Sequence, residues 1–366
     1  MKDITKSIAL LATGDEILHG DILNTNSQQT SQRLLNQQII VKTHFSTGDN
    51  IAEIKQAIEF LLKHHDGLII TGGLGPTSDD LTRYALSEAI NKPLIFDNPT
   101  WENICERIKK FGYPTPPESN RQQALFPEGA TIILNPHGTA SGCAIDVNNK
   151  WVFMLPGPPD ECLPMLDTAV IPTLIKADFQ QKFYREKWIL FGVSEGKIAE
   201  ELDAIVKPYD CETGYRLCYP YIEFKILSKN KKDFDTLIPQ IENIINRYLV
   251  GNGKQIASEQ LKVLLEQLTA PLTIDDQATG GLLESFLKTP KTTKNLIFSN
   301  HNPSLIISGL EEYWRNETAN KTLIRAELDL ENKNENAEIS FPLRGDKAKL
   351  FAVEWVCCCL MKWLIA

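Results

Sequence analysis

Hydrophobic positions along the chain follow two rhythms: short unbroken apolar runs and longer stretches with helical spacing. The segment SIALLAT (residues 7–13) forms one such run, the pattern of a strand buried on both faces. A helix is predicted over 25–37 and a second strand over 39–45. Residues 51–62 place Ile51, Ile54, Ile58, Leu61 and Leu62 at helical spacing, which predicts an amphipathic helix. A buried strand over Gly67–Thr71, a helix around 79–90, and strands over 130–135 and 151–155 follow. Strands alternating with helices predict an α/β layer fold with a mainly parallel sheet, three layers deep.

A polar connector is expected over 176–184. Beyond it, 185–250 reads as strand, helix, strand, helix, a small α+β unit, and 255–366 as a third, α/β unit. The apolar stretch 350–366 is interrupted by Glu354 and Lys362, which predicts a packed terminal helix and not a membrane span. The N-terminal apolar run is too short for a signal peptide and reads as the first strand.

The 366 residues suit two or three domains, taking about 150 residues for each. A net charge of −9 argues against a broad surface for duplex nucleic acid, while leaving room for a small phosphate site. Of the eight cysteines three are consecutive (Cys357, Cys358, Cys359) and the others are scattered without CxxC spacing. That pattern predicts free thiols in a reducing cytoplasm, with no disulfide framework and no zinc site.

Candidate chemistry lies where strands end. Residues 68–83 (LIITGGLGPTSDDLTR) run from a buried strand into a turn rich in glycine and then to Asp79 and Asp80, expected in the first turn of a helix. Gly72, Gly73 and Gly75 let a phosphate approach backbone amides, and the two carboxylates make sense beside it if a divalent cation bridges them. The alternative is ordinary capping of a helix by Ser78 and the two aspartates. Loop 13–26 brings Asp15, Glu16, Asn24 and Asn26, and loop 156–161 (PGPPDE) leaves a third strand end. Ligands of open α/β sheets sit where such loops converge.

Four segments carry a family resemblance: 13–27 (TGDEILHGDILNTNS), 71–82 (TGGLGPTSDDLT), 118–142 (ESNRQQALFPEGATIILNPHGTASG) and 154–161 (MLPGPPDE). Together they resemble, in order, the N-terminal domain of the competence/damage-inducible protein A (CinA) family. That domain is related to the molybdopterin-binding domain of molybdenum-cofactor biosynthesis proteins (MoaB/MogA-like). The resemblance implies three domains, 1–176, 184–250 and 255–366, and a metal-dependent pyrophosphatase acting on ADP-ribose or a related nucleotide diphosphate. Glu16, Asp79 and Asp80 are then expected to bind a magnesium, manganese or cobalt ion or to activate water. Gly72, Gly73, Gly75 and Thr77 are expected to cradle phosphate. Asn24 and Asn26 either orient ribose or phosphate or cap the helix that follows. Asn120 and Arg121 form either a clamp on the polyphosphate or an ordinary solvated pair, and His137 reads as a turn residue. Related alternatives are adenylyl chemistry on molybdopterin and a nucleotide-binding scaffold without catalysis.

The same resemblance places a KH-like domain at 184–250. This segment holds ten Lys plus Arg against eleven Asp plus Glu and lacks the GxxG loop, since Gly192 and Gly196 are spaced differently. A connecting, homodimer-forming role is expected there, with no nucleic acid and no membrane as partner. The family's C-terminal domain is a nicotinamide mononucleotide deamidase with a nucleophilic serine. Here Gln277 occupies that place within Asp275–Gly281, with Thr279 retained, and glutamine has no hydroxyl to form an acyl intermediate. Phe298 and Pro303 stand where the family has tyrosine and lysine. The expected glycine-rich loop is replaced by a polar, acidic stretch over 325–340, and the deamidase is expected to be inactive.

Overall fold

The computed structural model describes residues 6–110, 112–113, 115–316, 318–331 and 333–365. Two units follow one another along the chain, Met1–Lys182 and Phe183–Ala366.

The first unit begins with β1 (Ile8–Thr13), a single-turn α1 (Asp15–Leu18), α2 (Thr25–Asn36), β2 (Val41–Thr47), α3 (Ile51–His64) and β3 (Gly67–Thr71). It continues with α4 (Thr82–Ala89), β4 (Leu94–Phe96), α5 (Asn98–Lys110), a 3-10 segment (Glu118–Ala124), β5 (Leu125–Pro127), β6 (Thr131–Ile133), β7 (Gly142–Val147) and β8 (Lys150–Leu155). α6 (Pro159–Met165), a π-helical turn (Leu166–Val170) and α7 (Ile171–Lys176) complete it. The sheet order is β2-β1-β3-β8-β7-β6, with β2, β1, β3 and β8 mutually parallel and the β8-β7-β6 edge antiparallel.

Alternation along the central strands divides the core in two, as the pleat requires. Ile8, Leu10, Ile69, Phe153 and Leu155 face Leu34 of α2 and the α6–α7 segment. Ala9, Leu11, Leu68, Ile70 and Met154 face Ile54, Ile58 and Leu61 of α3 and Leu86 of α4. Three layers result, with β1, β3 and β8 buried on both sides. One expectation shifts: the helix predicted from 79 begins at Thr82. Asp79 and Asp80 therefore belong to the loop and not to the helix start.

The second unit holds β9 (Tyr184–Phe191), α8 (Glu195–Val206), β10 (Cys211–Cys218), β11 (Tyr221–Ser228) and α9 (Lys231–Ile245), then α10 (Ala257–Glu266), β12 (Leu272–Asp276) and α11 (Leu282–Leu287). It ends with β13 (Leu296–Phe298), β14 (Leu305–Gly309), α12 (Glu311–Trp314), β15 (Lys321–Leu330), β16 (Lys333–Pro342) and α13 (Lys347–Ile365). A three-stranded antiparallel sheet, β10-β11-β9, is backed by α8 and α9. A five-stranded mixed sheet, β13-β12-β14-β15-β16, packs with α10 and α13. The acidic stretch over 325–340 forms most of the β15–β16 hairpin. Its alternating exposure explains the composition, since one face meets solvent.

α13 is packed, as its interrupting charges predicted, and among the described residues no helix is long and apolar enough to cross a membrane. Glu354 is buried and fully satisfied. Its Oε2 accepts from the Tyr221 hydroxyl at 2.6 Å and the Ser258 amide at 3.1 Å, and its Oε1 accepts from the Ser258 hydroxyl at 2.6 Å. Burial beside this carboxylate pushes the Tyr221 phenol well up. The network ties β11 to α10 and α13.

Candidate active site at the ends of three parallel strands

The loops after β1, β3 and β8 meet around a cleft of about 550 Å³. Its wall includes Glu16, Asn24 and Asn26 from the first loop, Gly72, Gly73, Gly75, Asp79 and Asp80 from the second, and Pro156–Pro159 with Glu161 from the third. Asn26 joins two of the loops directly, its Nδ2 donating to the Gly157 carbonyl at 2.5 Å.

The glycine turn is held from two sides. Asp80 Oδ1 accepts the Gly75 amide at 2.7 Å, and its Oδ2 accepts the Thr77 amide at 2.9 Å and the Thr77 hydroxyl at 2.5 Å. On the opposite side the loop's carbonyls are gathered: Arg83 donates to Leu74 and Gly75, Gln122 to Gly75 and Thr77, and Gln123 to Leu74. Gly72, at φ +105°, could not carry a Cβ, which would lie 2.4 Å from the Thr13 carbonyl oxygen. Among the described residues the Gly73 and Leu74 amides have no hydrogen-bond partner.

This arrangement reassigns several expected roles. Asp80 is occupied as the staple of its own loop, and the Gly75 and Thr77 amides are turned to it and not to the cleft. Asn24 is the N-cap of α2, its Oδ1 accepting the Ser27 amide at 3.0 Å. Asn120 and Arg121 lie outside the cleft wall. Asn120 donates to Gln123 at 2.9 Å, so it acts on the loop through that residue. The Arg121 guanidinium packs over Phe96 and Trp101 and pairs with Glu118 at 3.3 Å, so no clamp forms there. His137 is in a turn, as predicted, with Asn135 Oδ1 accepting its amide and that of Gly138.

Arg83, Gln122, Gln123, Asp49 and Glu161 were missed. Arg83 had one visible signal, a charge on what becomes the buried face of a helix, where only 2 % of it remains exposed. Asp49 had none, because its importance comes from β2 lying next to β1. Asp15 and Asp49 exchange hydrogen bonds, each carboxylate accepting the other's amide at 3.0–3.1 Å.

Electrostatics mark the same place. Burial, and then the charges of Asp15, Glu16 and Asp79, push the Asp49 carboxyl above its ordinary value, partly offset by the Asp15 amide. The Thr77 hydroxyl, beside both loop carboxylates, holds Asp79 below the usual range. Desolvation lowers Arg83 to about 10, which leaves it cationic at neutral pH beneath the loop.

Among the described residues no three His, Cys, Asp or Glu side chains stand together closely enough to hold a metal ion. The donor set fits a magnesium-like cation in another way. Such an ion uses one or two carboxylates and takes its other ligands from water and substrate phosphate. Glu16 and Asp79 are exposed on the cleft wall and both act on Asp49. They are the two carboxylates that would hold it.

A CinA-like protein of Kosmotoga olearia is 35 % identical over 288 residues, covering 75 % of this chain and 68 % of that protein. A CinA-like protein of Dictyoglomus thermophilum is 33 % identical over 287 residues, covering 76 % and 69 %. The chain belongs to the CinA-like family. A family profile described as "Probable molybdopterin binding domain" matches residues 9–176 of this CinA-like chain, the stretch that builds the cleft. The crystal structure of the protein CinA with unknown function from Thermoplasma acidophilum is 31 % identical, covering 48 % of this chain and 99 % of that one, with a TM-score of 0.42.

In the second unit the segment Asp275–Gly281 is filled by its own bonds. Gln277 donates to Asp275 at 2.6 Å. Asp276 accepts the Ala278 and Thr279 amides at 3.2 and 2.8 Å and the Thr279 hydroxyl. The Trp314 indole donates to the Ala278 carbonyl at 2.7 Å and lies where a Cβ on Gly280 would stand. Phe298 ends β13, and Pro303 precedes β14 in the same sheet.

Proposed function

We propose that the cleft of the first unit hydrolyses the diphosphate link of a nucleotide such as ADP-ribose, releasing AMP and ribose phosphate. The reading rests on Glu16 and Asp79, brought from two distant loops into one cleft beside the Gly73 and Leu74 amides. The two carboxylates would hold a magnesium, manganese or cobalt ion together with phosphate oxygens. When bound, that ion neutralises diphosphate charge and makes a water more acidic. The chain's own groups do the rest. Asp80, Arg83, Gln122 and Gln123 keep the glycine loop rigid, and the free amides and the buried Arg83 cation favour the anion. Ile17, Ile22 and Leu23 supply an apolar lip on the cleft. Water oxygen adds to one phosphorus as its proton passes to solvent, the bond from that phosphorus to the bridging oxygen breaks, and that oxygen leaves on the other phosphate.

Purified protein incubated with ADP-ribose and each of the three metals is expected to release AMP. Glu16→Gln or Asp79→Asn is expected to lower turnover on the order of 100-fold or more. Full turnover in both variants would remove the assignment. Adenylyl chemistry on a molybdopterin-type ligand is the second reading, favoured by the profile match over 9–176. Tighter binding of molybdopterin than of ADP-ribose selects it.

For the second unit we propose a homodimer-forming, non-catalytic role, because Gln277 offers no nucleophile. Ammonia release from nicotinamide mononucleotide would refute this, and light scattering tests the dimer.

A further inference from the structure

The amide of Asn26 has a chemically fixed direction. One end stands 2.5 Å from the Gly157 carbonyl oxygen, which can only accept, so that end is the NH2 group. The other end, Oδ1, is buried and has no hydrogen-bond partner, on a residue that lines the cleft. One helical turn along the same face of α2, the buried Thr30 hydroxyl is also unpartnered. Asn24 is not in the same position, because its oxygen is engaged in capping α2.

We infer that Asn26 Oδ1 receives an O–H or N–H donor from the bound molecule. The cleft thus selects its nucleotide diphosphate by a neutral donor on the sugar or base. A phosphate oxygen at this position would set acceptor against acceptor, so of the two ligand roles open to Asn26 from sequence, phosphate is removed. The hydrogen bond to Gly157 fixes the amide before the ligand arrives. A buried carbonyl oxygen gains most when a donor completes it, and a ligand lacking the donor leaves it unsatisfied.

The inference takes its ligand class from the hydrolase reading, and the test separates the two. Calorimetric titration of the full chain with magnesium uses ADP-ribose, analogues with single ribose hydroxyls replaced by hydrogen, and the hypoxanthine analogue that exchanges the base amine for a carbonyl. Wild type is expected to bind one of these analogues on the order of tenfold or more weakly than ADP-ribose. The hydroxyl arm or the amine arm that shows the loss identifies the source of the donor. Asn26→Ala is expected to bind ADP-ribose and that analogue equally. Equal binding of every analogue by wild type overturns the inference, and so does full discrimination by a folded Asn26→Ala. Wild type carries the first comparison alone, so a variant that fails to fold does not spoil it. Discriminating binding without hydrolysis refutes the hydrolase reading and keeps this one. Hydrolysis without discrimination does the reverse, and no binding at all refutes both.

Discussion

Two turns in this protein share one local construction and differ in everything around it. After β3 the chain reads Thr71-Gly72-Gly73, and after β12 it reads Thr279-Gly280-Gly281. Each turn is held by an aspartate, Asp80 after the first pair of glycines and Asp276 at the end of β12 before the second, whose carboxylate collects two amides and one threonine hydroxyl: Asp80 from Gly75 and Thr77, Asp276 from Ala278 and Thr279. The first faces a cleft with exposed carboxylates on its wall. The second is covered by Trp314 and has Gln277 tied to Asp275. A glycine turn stapled by an aspartate is thus a way of making a rigid loop, and reactivity comes from what the neighbouring strands place opposite it.

Breaking the staples separates those roles most sharply. Asp80→Asn is expected to cost about 1–3 kcal/mol of stability and to lower ADP-ribose turnover by one to two orders of magnitude, as the loop amides lose their fixed position. Asp276→Asn is expected to cost a similar amount in thermal melting while turnover in the first unit stays within about twofold. Equal losses of turnover in both would show that the staple acts through stability alone.

The glycines differ by a smaller margin. Gly72→Ala drives a Cβ against the backbone of Thr13 and is expected to cost roughly 2–4 kcal/mol. At Gly280 the obstacle is the far end of the Trp314 ring, 2.7 Å away, which can swing aside. There the cost is expected to be roughly 1–2 kcal/mol, mostly from the left-handed backbone. Denaturant melts of the pair check the order.

Opening the second turn is the next contrast. Trp314→Ala combined with Gln277→Ser is expected to release no ammonia from nicotinamide mononucleotide, because Phe298 and Pro303 still replace the other motif groups. Release above background would show that the fold retains the rest of a deamidase.

The smallest effect is in proton balance. Asp49 has a raised folded-state pKa, so folding favours its protonated form. Its contribution is present at acid pH and is lost as pH rises from the unfolded value of 3.8 through the folded one. A cation bound by Glu16 and Asp79 opposes their charges, so magnesium binding at acid pH, where Asp49 is partly protonated, is expected to release a fraction of a proton. Calorimetry in buffers of different ionisation enthalpy measures it. Glu16→Gln and Asp79→Asn are expected to abolish the release.

Much of this was legible from residue pattern. The apolar runs that become β1 and β3 are buried on both faces, and the helical spacing of Ile51 to Leu62 matches α3 within two residues. β10 escaped notice because Cys211–Cys218 is half-exposed and polar, so it has no strong period to read. Residues 325–340 read as a polar stretch, although alternate side chains there face solvent from a hairpin.

The order of strands and loops along the chain already determined that acidic and glycine-rich segments would leave one end of a parallel sheet, because strand polarity follows from right-handed crossovers. Tertiary structure alone decided which carboxylates were free. Asp79 and Asp80 are adjacent in sequence, chemically alike and both on the cleft wall, yet one is exposed there and the other is spent on its own loop. Such a difference depends on the directions of a few amides after the chain has turned, and no local pattern of residue types encodes a direction.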